Sequence, residues 1–165
     1  MYKKINTMNP SFHRSKVNLG TTLLSMSNFD EGFKEYAYRI YEDKNFKPYI
    51  NRKKELWSGQ NLENKTILVI AEEGLGNTIQ YSRYLETLSQ LKCKIIFKCQ
   101  EELHHLFGDL YFIDQISSLE SDFDTFDYWA PLQNLIYLLT PDINSNCPLP
   151  TPLKIHDNKL LEWET

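Results

Sequence analysis

Six consecutive residues, Thr66-Ile67-Leu68-Val69-Ile70-Ala71, are almost wholly apolar and rich in β-branched side chains. A run of this kind suits a strand buried on both faces. Glu72-Glu73-Gly74-Leu75-Gly76-Asn77-Thr78 follows at once, with two glycines and an Asn-Thr pair. Beyond it, Tyr81, Tyr84, Leu85, Leu88 and Leu91 fall on one face of an α-helix within Ile79 to Leu91. Strand, glycine turn and helix form the opening of a Rossmann-like βα unit. A ligand would sit at the carboxyl end of the strand, where free N–H groups and the helix dipole favour an anion. The candidate anion loop is therefore Glu73, Gly74, Leu75, Gly76, Asn77 and Thr78. Gly74-x-Gly76 lacks the third glycine of the dinucleotide fingerprint, and no Gly-Lys-Ser/Thr follows, which excludes a Walker A loop. A plain βα turn needs small residues at the same places.

The chain after this unit alternates strands with helices. Lys94 to Lys98, Ile113 to Ile116 and Phe126 to Trp129 read as strands. Gln100 to Phe107 and Leu132 to Leu139 read as helices, the second stopped by Pro141. This alternation predicts a parallel sheet with right-handed crossovers and the Thr66–Ala71 strand at its centre. Cys147 to Pro152 reads as extended, and Leu160 to Thr165 as the start of a further helix.

Upstream lie two helical patterns, Phe12 to Met26 and Asp30 to Tyr41, with Ser27-Asn28 as the turn. A lone αα-hairpin cannot bury its own apolar face, so Phe33 and Tyr36 are expected to be buried against the first helix and the α/β unit. The predicted organisation is a tail at 1–11, a helical hairpin at 12–42, a linker at 43–60 and a Rossmann-like domain at 61–165. The linker assignment rests on polar composition, Pro48 and the basic run Arg52-Lys53-Lys54, read as a solvated turn.

The net charge is -4, and no basic patch of the kind nucleic-acid binders carry is present. No apolar run approaches the ~18 residues of a membrane span. The start, Met1 to Asn6, has no apolar h-region and so no signal peptide is read. Cys93, Cys99 and Cys147 show no metal spacing; buried free thiols are expected at Cys93 and Cys99, which flank or sit in an apolar strand, and a reduced, cytoplasmic setting follows.

Glu72 and Glu73 are candidate acids or bases, or else solvated loop carboxylates. Arg83 either pairs with Glu86 or reaches an anion at the loop. His104 and His105 cannot share a helix face, and His13 and His156 lack partners by spacing, so no metal site is expected. Asp122, Asp124 and Asp127 lack the glycine and distal glutamate of a calcium loop. Ser82 has no Gly-x-Ser-x-Gly elbow, which removes a hydrolase. No cofactor is expected.

Leu56-Trp57-Ser58-Gly59, the Thr66–Ala71 strand, Glu72 to Leu85 and Phe126-Asp127-Tyr128-Trp129-Ala130-Pro131-Leu132 together resemble a group of bacterial tetratricopeptide-repeat proteins. These carry a glycosyltransferase-like domain related to heptosyltransferases and O-linked N-acetylglucosamine transferases. Leu19-Gly20, Leu23, Gly32 and Tyr36 resemble the packing positions of one tetratricopeptide repeat, and Arg39 stands where a small residue is usual. The resemblance implies the N-terminal, acceptor-side half of a GT-B fold. It also implies that another chain supplies the donor-binding half, with a protein as possible acceptor. The family's Gly-Leu-Gly-Asp-Thr here reads Asn77 at the aspartate, which in heptosyltransferase-like enzymes is the general base. An amide takes no proton near neutral pH, so no catalytic residue is assigned. Asn77 remains a good helix N-cap. The expected protein is a truncated or split glycosyltransferase-like chain, inactive alone. The alternative is a non-catalytic interaction module using Phe33, Tyr36, Tyr38 and Tyr41.

Overall fold

The computed structural model describes residues 2–72, 74–122, 125–140 and 148–149. Glu73, Asp124, Cys147, His156 and the expected helix at 160–165 lie outside them. Strand β1, Thr66–Ile70, sits inside a parallel sheet of order β3-β2-β1-β4, with β2 at Lys94–Cys99, β3 at Gln115–Ser118 and β4 at Tyr128–Pro131. The fold is α/β and Rossmann-like, with the most apolar strand paired on both sides. Val69 lies opposite Phe97 on one neighbour and Ala130 on the other.

Strand alternation divides the apolar residues between two layers. Ile67, Val69 and Ala71 pack with Tyr84, Leu85 and Leu88 of a helix at Arg83–Ser89, Phe107 of a helix at His104–Phe107, and Leu135 and Ile136 of a helix at Leu135–Leu139. Leu68, Ile70, Ile96 and Trp129 face the opposite side, against Ile40, Phe46 and Tyr49. Both faces of β1 are thus dry, as a continuous apolar run requires.

The second layer corrects the linker assignment. Residues 43–60 include a helix at Lys47–Asn51, and Phe46, Tyr49 and Trp57 are buried. Phe46 and Tyr49 keep a helical interval, but the helix is only five residues long and sits in a polar segment, too short for its periodicity to be read. Phe46 and Tyr49 stack on Trp129 with ring centroids 5.7 and 5.4 Å away. The same segment closes the edge of β4. The Trp57 N–H donates to the Trp129 carbonyl at 2.8 Å, and the Trp129 N–H to the Glu55 carbonyl at 3.0 Å.

Three boundaries differ from expectation. The third strand was expected at Ile113–Ile116, but Ile113 turns back to the Leu110 carbonyl and the Asp114 carboxylate accepts the Ile95 N–H, so pairing begins later. The fourth was expected at Phe126–Trp129. Asp127 instead accepts the Thr66 N–H at 2.8 Å, and the strand runs on through Pro131. The single helix expected from Ile79 to Leu91 is two, at Leu75–Tyr81 and Arg83–Ser89. They part at Ser82, whose hydroxyl donates to the Ile79 carbonyl, a local bond that competes with regular helix.

The helices, numbered in chain order, are α1 (Tyr2–Met8), α2 (His13–Ser25), α3 (Phe29–Tyr36), α4 (Lys47–Asn51), α5 (Leu75–Tyr81), α6 (Arg83–Ser89), α7 (His104–Phe107) and α8 (Leu135–Leu139). A helix α1 occupies much of the expected tail. The α2–α3 hairpin turns at Ser27, which takes φ 61°, with the Asn28 N–H on the Leu23 carbonyl and the Ser27 N–H on the Leu24 carbonyl. This is a Schellman-type stop with serine in the usual glycine place. Phe33 packs against the first core layer; it and Tyr36 are half-buried rather than buried. None of the described helices is long and apolar enough to cross a membrane.

Gly20 is where α2 and α3 touch. A Cβ there would lie 2.4 Å from the Tyr36 nitrogen and 2.9 Å from the Gly32 carbonyl oxygen. Both are backbone, so the helices themselves must part. Gly20→Ala is expected to cost about 1–3 kcal/mol in urea unfolding, the usual range for overpacking. Gly76, with nothing within 4 Å of a Cβ and a place inside α5, is the contrast. Gly76→Ala is expected to be neutral or to stabilise by up to ~1 kcal/mol.

Candidate functional site

The chain leaves β1 for β2 on one side, and β4 lies on the other side of β1. In open α/β sheets such a reversal leaves a crevice beyond the carboxyl ends of the two strands. A cavity of about 520 Å³ lies there, with Tyr36, Arg39, Glu72, Asn77 and Gln133 in its wall beside Glu42, Asp43 and Lys44.

Glu72, two residues past β1, is 6% exposed. Arg39, from the 3-10 turn after α3, meets it in a fork: Nε to Oε1 at 2.6 Å and Nη2 to Oε2 at 2.8 Å. The Gln133 N–H, just past β4, donates to Oε2 at 3.1 Å. Gln100, just past β2, donates from Nε2 to the Glu72 carbonyl at 2.8 Å and accepts the Thr78 hydroxyl at 2.9 Å. The Tyr36 ring lies under the guanidinium, 4.7 Å from centroid to Cζ. Glu72 therefore ties together the hairpin and the ends of three strands, through its carboxylate to Arg39 and Gln133 and through its main-chain carbonyl to Gln100. Bidentate, charge-assisted pairing of this kind fixes geometry as well as energy. Of the two readings for Glu72, the solvated loop carboxylate is corrected by its burial.

The loop residues divide. Gly74 takes φ 97°, which starts α5 at Leu75. Asn77 is consequently the third residue of that helix and not its N-cap, a correction to the expected capping role. It is exposed and faces the crevice wall. Leu75 and Gly76 are exposed, Thr78 is buried on Gln100, and Glu73 lies outside the described residues. Arg83 does not line this crevice. It donates to the Gln80 carbonyl at 2.8 Å and the Pro148 carbonyl at 3.4 Å, and borders a separate cavity with Phe29, Phe33 and Tyr84. Glu86 accepts the Tyr111 hydroxyl instead.

Arg39, Gln100 and Gln133 were not singled out by sequence. Arg39 did carry a signal, as a large charged residue where the repeat pattern has a small one. Gln100 and Gln133 carry none, because only the parallel register brings the ends of β2 and β4, 33 residues apart, to Glu72.

A second ionic group lies under the second layer. Lys98 of β2 is 3% exposed, and its ammonium donates to the Tyr49 hydroxyl at 2.9 Å and to the Ser121 carbonyl. Burial lowers its pKa below the ordinary 10.5, with Asp122 opposing the shift. Between the lowered folded value and 10.5 the unfolded chain binds more protons, so this group's contribution to stability rises with pH there. The penalty is fully present below the folded value. The unfolding free energy of the wild type minus that of Lys98→Met is expected to rise with pH across the mildly alkaline range, a difference in which the opposing contributions of the raised cysteine pKa values cancel. Equal slopes would refute it.

Cys99 is buried, and desolvation pushes its thiol up to about 12; Cys93 is half-buried and rises to about 11. Asp122 pairs with Arg52 at 2.8 Å and Asp127 with Lys65 at 3.3 Å. No cluster of three or more potential metal ligands occurs among the described residues.

No protein-family model matches the chain, and no solved structure matches it significantly. Among curated proteins it is similar to Protein FlbA of Caulobacter vibrioides (strain ATCC 19089 / CIP 103742 / CB 15). The two are 22% identical over 139 residues, and the match takes in 73% of this chain and 23% of FlbA. The chain thus aligns with less than a quarter of that relative's length.

Proposed function

We propose that this chain forms the acceptor-side half of a GT-B glycosyltransferase-like protein that uses a nucleotide sugar, preceded by one tetratricopeptide-like hairpin. The observation that carries the proposal is the crevice between β1 and β4. It is walled by residues of the Glu72–Leu85 stretch on which the glycosyltransferase resemblance rests, and the buried Arg39–Glu72 fork holds it open to solvent-facing Asn77. In this reading Arg39 and Glu72 position the wall, and the crevice receives the hydroxyl-bearing acceptor. The donor-binding half comes from residues outside this sequence, in the same or another polypeptide. Asn77 offers no base at the place where the resembling enzymes use aspartate, and general-base catalysis typically contributes ~10²–10⁴-fold.

The polypeptide of these 165 residues is therefore expected to transfer no sugar when purified alone, and Asn77→Asp is expected to be equally silent. The assay offers a panel of labelled nucleotide sugars to both proteins, with extract from a strain lacking other transferases. Transfer by the wild type alone would overturn the need for a second half. Amide NMR shifts on adding mono- and disaccharides test acceptor binding directly, and are expected at Asn77 and Gln133.

The second reading is a non-catalytic interaction module that binds a protein through the hairpin. Met8, Phe12 and Met26, which are 77%, 47% and 72% exposed, favour it. If no saccharide moves the crevice amides while a protein partner moves those of α1 and α2, the module replaces the transferase half.

A further inference from the structure

A second cavity lies between the 3-10 turn Ala37–Tyr41 and α8, outside the edge of β4. It measures about 390 Å³ and shares no wall residue with the crevice. Tyr38, Tyr41 and Tyr137 line it together with Glu35 and Asn134. Of these lining residues, Glu35 and Asn134 each have a buried oxygen, Oε2 and Oδ1, with no hydrogen-bond partner among the described residues. Asn134 is only 1% exposed. Both atoms are acceptors, and a buried acceptor is costly unless something donates to it.

The missing partner must carry N–H or O–H donors, and the carboxylate favours a positive charge. The rings add a preference for a flat, weakly hydrated cation that can lie against aromatic faces. One of these rings already does this, since the Lys16 ammonium sits 3.6 Å above the Tyr38 centroid. Burial raises the Tyr137 pKa above 10.0, so its phenol stays neutral at physiological pH and offers no competing negative charge. Lys34 also lines the cavity and is exposed, so its ammonium is free to turn to water.

We propose that this cavity is a binding site for a guanidinium group, held by Glu35 and Asn134 and packed against the tyrosine rings. The source is an arginine side chain of a partner protein or a small alkylguanidine. The proposal stands whether or not the crevice serves glycosyl transfer.

The test is calorimetric titration of the full chain with agmatine, with an acetylated and amidated Gly-Arg-Gly peptide, and with butylurea as a neutral planar control. Agmatine or the peptide is expected to bind saturably and butylurea not at all. Stronger binding by the peptide identifies a protein source, and stronger binding by agmatine a small molecule. Glu35→Gln keeps the shape and is expected to weaken binding roughly tenfold or more, the effect of losing a charged hydrogen-bond partner. Tyr38→Leu, checked for an unchanged melting temperature, is expected to weaken it severalfold, and Tyr38→Phe to leave it intact. Absence of saturable binding by either cation, or equal binding of butylurea, would overturn the proposal. So would unchanged affinity in a folded Glu35→Gln protein.

Discussion

Glu72→Ala is expected to lower the unfolding free energy by about 3–5 kcal/mol, because it strands a guanidinium that is itself largely buried. The Arg39 side chain is 12% exposed and that of Glu72 7%, so neither charge can be made good by water without movement. The loss also frees the Gln133 N–H, which donates to the same carboxylate. Arg39→Leu alone should cost a similar amount, by stranding the carboxylate. The informative protein is the double variant, Arg39→Leu with Glu72→Leu. Removing both charges together removes the desolvation penalty as well, so the double is expected to be far more stable than the sum of the singles implies. Urea unfolding of all four proteins measures the coupling. Additive losses would mean that the fork holds neither the hairpin nor the crevice wall in place.

Trp129→Ala is the other large effect, at about 3–5 kcal/mol, the range for emptying a buried aromatic site. Trp129 is 1% exposed and fills the centre of the second layer. Its Nε1–H donates to the Lys54 carbonyl at 3.1 Å, and its backbone holds Glu55 and Trp57. Domains have only about 5–15 kcal/mol in all, so the alanine variant should lose a large share of its stability. Trp129→Phe keeps the stack with Phe46 and Tyr49 but leaves the Lys54 carbonyl unpaired. A loss of about 1–3 kcal/mol is expected there. Near-ultraviolet circular dichroism with urea titration separates the two. A small effect in the alanine variant would show that residues 46–57 are not a true layer of the fold.

Much of the sheet was legible because one strand is unambiguous. Thr66–Ile70 is buried on both sides, and that alone demands neighbours and two covering layers. The parallel order followed from strands alternating with helices. Edge strand β3 was displaced because three of its four paired residues, Gln115, Ser117 and Ser118, are polar, and the whole strand is half-exposed or exposed. The second layer was hidden for a different reason. Phe46 and Tyr49 keep a helical interval, but their helix is only five residues long and lies in a polar segment with Pro48, too short a run to read as a packed layer. At the crevice, Gly74 and Asn77 were readable as a turn and a helix start. The Arg39–Glu72 fork joins residues 33 apart through a hairpin whose packing no local pattern encodes. The N-cap assignment failed by three positions, because the positive φ at Gly74 lets the helix begin sooner.

The aromatic slab under β4 also sets an order of assembly. Lys54 and Trp129, which bond to each other, are separated by 75 residues. As the chain is synthesised, Phe46, Tyr49 and Trp57 emerge first and find no Trp129 to meet. β1 can pair with β2 on one flank while its other edge stays open. Closing so long a loop is slow compared with forming local contacts. During that interval the nascent protein carries an uncovered strand edge beside loose aromatic rings, the combination most prone to mispairing with another chain. Arrival of Tyr128–Pro131 ends this exposure in one step, by seating the edge and the slab together.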